Sequence, residues 1–143
     1  MSSISRSALV PYSAAQMYAL VNDIESYPEF VPWCSKSTSK EISSNEKEAA
    51  LFFSRGAIKT SFTTRNTLFA EERIELKLVD GPFSQLQGIW QFVDINSEGS
   101  RVQLDLDFEL SSRMLKMALE SFFSQVCDRL VNSFVQRANH VYK

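Results

Sequence analysis

Apolar positions in this chain run at period two through its middle and at helical spacing at its end. From Ser112 to Tyr142, Leu115, Leu119, Phe122, Val126, Leu130, Phe134, Ala138 and Val141 form one row. Phe123, Cys127, Val131, Val135 and Tyr142 form a second row beside it, and no proline or glycine interrupts the run. The spacing predicts one helix about 45 Å long. Two adjacent rows make its apolar face broad, so the surface opposite must also be broad and apolar.

Strict alternation governs Cys34 to Leu110. Leu51 and Phe53 alternate with Phe52 and Ser54; Phe62, Thr64, Asn66 and Leu68 alternate with Thr63, Arg65 and Thr67. Ile74, Leu76 and Leu78 follow, and then the cleanest run: Val102, Leu104, Leu106, Phe108 and Leu110 against Gln103, Asp105, Asp107 and Glu109. Such alternation marks strands with one buried face. Turn residues separate the runs at Ser43–Glu46, Arg55-Gly56, Ala70–Arg73, Gly81-Pro82 and Asn96–Gly99. Short turns between successive strands imply an antiparallel meander.

Ahead of the meander, Ser3–Val10 reads as a strand broken at Pro11-Tyr12-Ser13. Ser13-Ala-Ala-Gln16 is a capping box, with Tyr12 and Met17 placed for a hydrophobic staple. Met17, Leu20, Val21 and Ile24 give the helix a buried face, and Ser26–Phe30 makes a second short turn before Val31-Pro32-Trp33. The predicted class is α+β: a strand, two short helices, six strands, and one long helix laid across the sheet.

With 143 residues, 44% of them hydrophobic, the chain is expected to form a single domain over 1–143. Its net charge of -2 and pI near 5.4 give no global attraction to nucleic acid or anionic membrane. Met1–Ser7 lacks the apolar core of a signal peptide, and no apolar run approaches a membrane span. A cytoplasmic location is therefore expected, with peripheral contact at the inner membrane allowed. Cys34 and Cys127 suit reduced thiols there. Eleven Phe, four Tyr and two Trp are an aromatic load suited to a core or to a ligand cavity.

Catalytic chemistry is thinly supplied. His140, the only histidine, falls in the last helical turn, where a cation complements the helix dipole. No Cys/His spacing suits a metal, and Cys34 reads as a loop thiol with no histidine to activate it. Asp105, Asp107 and Glu109 share the strand face opposite the core and read as solvated exterior. Neither Gly81-Pro82 nor Arg55-Gly56 is a phosphate loop. Arg55, Lys59, Arg65 and Arg73 are expected on faces away from the core or in turns. No enzyme is expected, and a cavity with aromatics at Phe62, Trp90, Phe92, Phe108 and Phe122 is.

Several segments together resemble one family: Arg6–Ser13, Gln16-Met17, Leu20–Cys34 with its Tyr-Pro-Glu-Phe-Val-Pro-Trp-Cys sequence, Phe62–Asn66, Gly81-Pro-Phe83, Leu86–Phe92 and Arg137-Ala138. They look like the coenzyme Q-binding and ribosome-association-toxin (RatA-type) members of the START-like (polyketide cyclase/lipid transport) superfamily. The resemblance implies a helix-grip fold, about seven antiparallel strands wrapped around a long C-terminal helix with a hydrophobic tunnel between. It also implies two alternative functions. One is a non-enzymatic protein that holds ubiquinone or a related polyisoprenoid lipid and supports respiratory electron transfer. The other is a toxin that binds the large ribosomal subunit and blocks 70S assembly.

On the first alternative, Trp33, Phe62, Trp90, Phe108, Leu119, Phe122 and Val126 are the expected lining. Pro28, Phe30, Pro32 and Phe83 are the expected gate. The Leu115–Val126 half of the long helix would touch ligand, and Leu130–Tyr142 would be fixed core. Substitution at Phe122 is then expected to alter binding more than stability. No cofactor is required beyond a bound quinone or lipid, no metal is expected, and a transient membrane contact is allowed. On the second, Lys36, Lys40, Lys59 and Arg65 would serve the ribosome. DNA is not an expected partner.

Overall fold

Pro11 and the capping box after it set the entry to the fold. The computed structural model describes residues 2–142, with β1 (Ser2–Val10) ending at that break. Ser13 caps α1 (Ala14–Asn22): its hydroxyl accepts from the Gln16 amide at 3.1 Å, and the Gln16 side chain accepts from the Ser13 amide at 2.9 Å. Tyr12 reaches across to the long helix, its ring 5.7 Å from that of Tyr142 and its hydroxyl donating to Asn139. A 3-10 helix, Ile24–Glu29, follows, with Pro28 inside it.

Six strands then run as a meander: β2 (Cys34–Ser43), β3 (Glu46–Arg55), β4 (Ile58–Phe69), β5 (Arg73–Asp80), β6 (Phe83–Ile95) and β7 (Gly99–Leu110). All pairings are antiparallel in the order β1-β7-β6-β5-β4-β3-β2, so β1 closes one side and β2 is the opposite edge. Cys34 corrects one expectation, since it is the first residue of β2 and not a loop thiol. It is buried, its Sγ lies 3.6 Å from the Lys36 carbonyl oxygen, and burial pushes its pKa up.

The β6–β7 turn needs its glycine. Gly99 has φ +149°, and a Cβ there would lie 2.0 Å from the Val10 carbonyl oxygen. Only a residue without a side chain lets β1 end against β7 at the Val10–Ser100 pair.

α2 (Arg113–Val141) lies across the concave face, capped by Ser112, whose hydroxyl accepts from the Leu115 amide at 3.1 Å. Phe122, Val126, Val131, Phe134 and Ala138 join α1, the 3-10 helix and the sheet in one cluster. Leu119, Phe123 and Cys127 join Ile4, Phe83, Leu86, Phe108 and Leu110 in a second. Phe134, fully buried, meets the rings of Tyr27, Phe30 and Trp90 edge-on at 5.2 to 5.3 Å. This is a helix grip: a seven-stranded antiparallel sheet holding one long helix.

Candidate functional site

Alternation turns Leu51 and Phe53 of β3, Phe62, Thr64 and Asn66 of β4, and Trp90 of β6 toward the helix, with Leu104 and Phe108 of β7 beside them. They surround a cavity of about 80 Å³. The helix contributes Phe123, Val126, Cys127 and Leu130, and Val21, Ile24, Tyr27 and Val31 close the side toward α1.

Only a few polar atoms interrupt these apolar walls. Thr64 and Asn66, 5% and 3% exposed, stand two residues apart on the inner face of β4. The Thr64 hydroxyl donates to the Asn66 side-chain oxygen at 2.7 Å. The Asn66 NH₂ group then has no acceptor among the described residues. That group is free to donate to whatever occupies the cavity. Tyr27 is otherwise engaged, its hydroxyl donating to the Val21 carbonyl at 2.5 Å, and burial drives its pKa strongly upward. Burial likewise pushes the Cys127 thiol up to about 12. No carboxylate, imidazole, amine or guanidinium lines the cavity, so no group in the wall is suited to take a proton at neutral pH.

The predicted lining divides. Phe62, Trp90, Phe108 and Val126 face the cavity, and so does Phe83, which was expected in a gate. Phe83 begins β6, buried against Phe62, Phe108 and Phe123. Trp33, Leu119 and Phe122 lie outside the lining. The reason is helical geometry: Phe123, Val126, Cys127 and Leu130 form a single i, i+3, i+4, i+7 stripe, and only one such stripe can face a narrow cavity. Leu119 sits one turn beyond its end. Phe122 is rotated toward Trp33 and Phe53, at ring distances of 5.7 and 6.2 Å. The cavity-facing stretch is thus the middle of α2, and Leu130, expected as fixed core, belongs to it.

Of the remaining gate residues, one is held by ring packing. Phe30 lies against Tyr27 and Phe134 at 5.9 and 5.2 Å, with the Arg137 guanidinium 5.0 Å from its ring. Pro28 is exposed on the 3-10 helix and Pro32 is half-buried.

The basic residues also sort differently from expectation. Arg55 shares the parity of Leu51 and Phe53, so it points to the helix side of the sheet and not away from it. Its guanidinium lies 4.8 Å from the Trp33 ring and 4.9 Å from that of Phe122, and it donates to Gln125 at 2.7 Å. Arg65 pairs with Glu48 at 2.8 Å. Arg73 stacks 3.6 Å over Phe69 and pairs with Glu72 and Glu75.

The sequence profile described as polyketide cyclase / dehydrase and lipid transport matches residues 10–135. The chain belongs to that family. Within the family it is 43% identical over 142 residues to the ribosome association toxin RatA of Escherichia coli K12, covering 99% of this chain and 90% of that protein. It is 29% identical over 135 residues to the mitochondrial coenzyme Q-binding protein COQ10 of Dictyostelium discoideum, covering 92% of this chain and 66% of that one. Its fold superposes on a START superfamily protein from Mycobacterium smegmatis with a TM-score of 0.81 at 19% identity, covering 97% and 98% of the two chains. Neither named relative is described as an enzyme, although the family description includes cyclases. Among the described residues, no helix is long and apolar enough to cross a membrane, and no group of His, Cys, Asp or Glu is arranged to hold a metal ion.

Proposed function

We propose that this protein is a non-enzymatic carrier of an apolar, carbonyl-bearing ligand, ubiquinone or a related polyisoprenoid, and that it supports respiratory electron transfer. The observation that carries the reading is the Asn66 NH₂ group, which finds no protein acceptor among the described residues and stands on the wall of an otherwise apolar cavity. A quinone carbonyl is the acceptor such a donor calls for, and the aromatic walls suit the ring that bears it. Burying a quinone ring and its first isoprene units removes several hundred Å² from water, on the order of 5–10 kcal/mol before the costs of association. At about 80 Å³ the cavity must widen to take them, and half-buried Leu76, Leu106 and Leu130 are the wall residues with room to move. The ligand's source would be a membrane visited transiently from the cytoplasm. Solvent extraction of the purified protein should yield a quinone or a similar lipid. An empty extract, together with no uptake of added ubiquinone, defeats the proposal.

A second reading, association with the large ribosomal subunit, is favoured by the 43% identity to a protein named as a ribosome association toxin across 99% of this chain. Sucrose-gradient sedimentation tests it: added protein should raise free subunits at the expense of 70S particles. An unchanged 70S peak removes it.

A further inference from the structure

We propose that the surface formed by the start of β2, the β3–β4 hairpin and the middle of α2 binds single-stranded RNA. The proposal rests on and deepens the ribosomal reading by naming the face that would meet unpaired rRNA. Trp33 is its centre. The residue has a left-handed backbone, φ 63°, rare for a bulky side chain, and its carbonyl is fixed by the Ser54 amide at 2.9 Å. That conformation leaves the indole half-exposed, with the guanidinium groups of Arg55 and Arg129 at 4.8 and 5.0 Å from its ring.

Across the sheet edge, on its outer face, Phe52 is a half-exposed aromatic with the Lys36 ammonium 5.5 Å from its ring. The strand register sets Phe52 opposite Lys36 on one side and Ser61 on the other, and Ser54 opposite Lys59. Ser35, Phe52, Ser54, Lys59 and Ser61 form a shallow hydroxyl-lined depression there.

Arg6, Arg65, Arg73, Lys116 and Arg137 all pair with carboxylates. Arg55, Arg129, Lys36 and Lys59 form no ion pair among the described residues, and neither do Lys40, Lys47, Lys77, Arg101 and Arg113. What distinguishes the first four is that three of them lie within 5.5 Å of a half-exposed aromatic ring. In a chain of net charge -2, Arg55 and Arg129 flank Trp33 on the helix side of this sheet edge, and Lys36 and Lys59 flank Phe52 and the serine hydroxyls on its outer face. Phosphates seek such cations, and bases stack on aromatic rings and guanidinium planes only when unpaired. Hydroxyls suit the ribose 2′-OH. A bilayer is the poorer match, because none of the large apolar side chains exposed on this protein (Leu9, Ile42, Val79, Val93, Met114, Met117, Val141) projects from the patch.

The test is fluorescence anisotropy with a mixed-sequence single-stranded RNA of about 12 nucleotides. Wild type should bind it and weaken roughly 50-fold between about 50 and 200 mM salt, as expected for four phosphate contacts. Lys36→Glu with Arg129→Glu, both exposed positions, should lower affinity at least tenfold with unchanged circular dichroism and melting temperature. Arg101→Glu with Arg113→Glu, an equal charge change elsewhere, should weaken it far less. The proposal is overturned by absence of wild-type RNA binding, by equal losses in the two double variants, or by binding only to phosphatidylglycerol vesicles. If the oligonucleotide behaves as expected while 70S particles stay intact, this surface stands and the ribosomal reading falls. If both wild type and Lys36→Glu/Arg129→Glu block subunit joining equally, the ribosomal reading stands and this surface falls.

Discussion

Asn66 and Cys127 stand in the same cavity wall, and burial acts on them in different ways. Asn66 keeps an NH₂ group with no acceptor among the described residues, a donor that a ligand carbonyl would engage. Asn66→Leu removes that donor and also the acceptor of the buried Thr64 hydroxyl, so the melting temperature should fall modestly while ubiquinone uptake weakens by about 5- to 100-fold, the worth of one buried hydrogen bond. Titrating both proteins with a short-chain quinone decides it, and equal affinities would remove Asn66 from the site. Cys127 is instead held neutral: its folded pKa is raised from 9.0 to about 12. Between those values the unfolded chain binds fewer protons than the folded one. Its contribution to stability is thus complete below about pH 9 and is lost as pH rises toward 12. Chemical denaturation across that range should show the decline, and Cys127→Ala should flatten part of it. The buried Tyr27 hydroxyl, also shifted upward, adds to the fall at the alkaline end.

Among the elements, α2 has two jobs divided by rotation more than by length. Phe122, 1% exposed and packed on Trp33 and Phe53, is structural. Phe122→Ala should cost about 3–5 kcal/mol in urea denaturation, contrary to the ligand-binding role its helical row suggests. Leu130, half-buried on the cavity stripe, should cost about 2 kcal/mol or less when cut to alanine, and should change quinone affinity more than Phe122→Ala does. At the other side of the sheet, Gly99→Ala drives a methyl group into the Val10 carbonyl. The β1–β7 pairing must then shift, and a loss of several kcal/mol is expected, read as a lower urea midpoint. Ser13 and Gln16, by contrast, announced their mutual capping in the sequence, because that motif lies within one turn of chain.

For the molecule as a whole, the two proposed functions occupy different places. The quinone site is interior and apolar; the RNA surface is exterior, basic and aromatic. They meet at the Phe53–Phe122–Trp33 ring contacts, which run from the cavity wall to the patch. Binding of a ligand to the folded state alone stabilises it by about 2.7 kcal/mol at a hundredfold excess over Kd, roughly 8–10 °C in melting temperature for a chain of this size. Ubiquinone should produce that shift in a thermal melt, and a saturated polyol of similar size should not. No shift with quinone at any concentration would leave the cavity as plain core.

The order of elements, the antiparallel meander, the capped first helix and the inward parity of Phe62, Thr64, Asn66, Trp90 and Phe108 were all legible in the sequence. Each follows from a period of two or 3.6 residues, or from turn and cap chemistry, and these act over a few residues at a time. Other features were decided only by tertiary structure: which stripe of α2 faces the cavity, the packing that pins Phe30 and Phe83, and the apolar walls that surround Thr64 and Asn66. The approach of Arg55 and Arg129 to Trp33, and of Lys36 to Phe52, is of the same kind. A helix's rotation against a sheet and the pairing of a charge depend on atoms brought together from distant parts of the chain, and no local pattern carries that information.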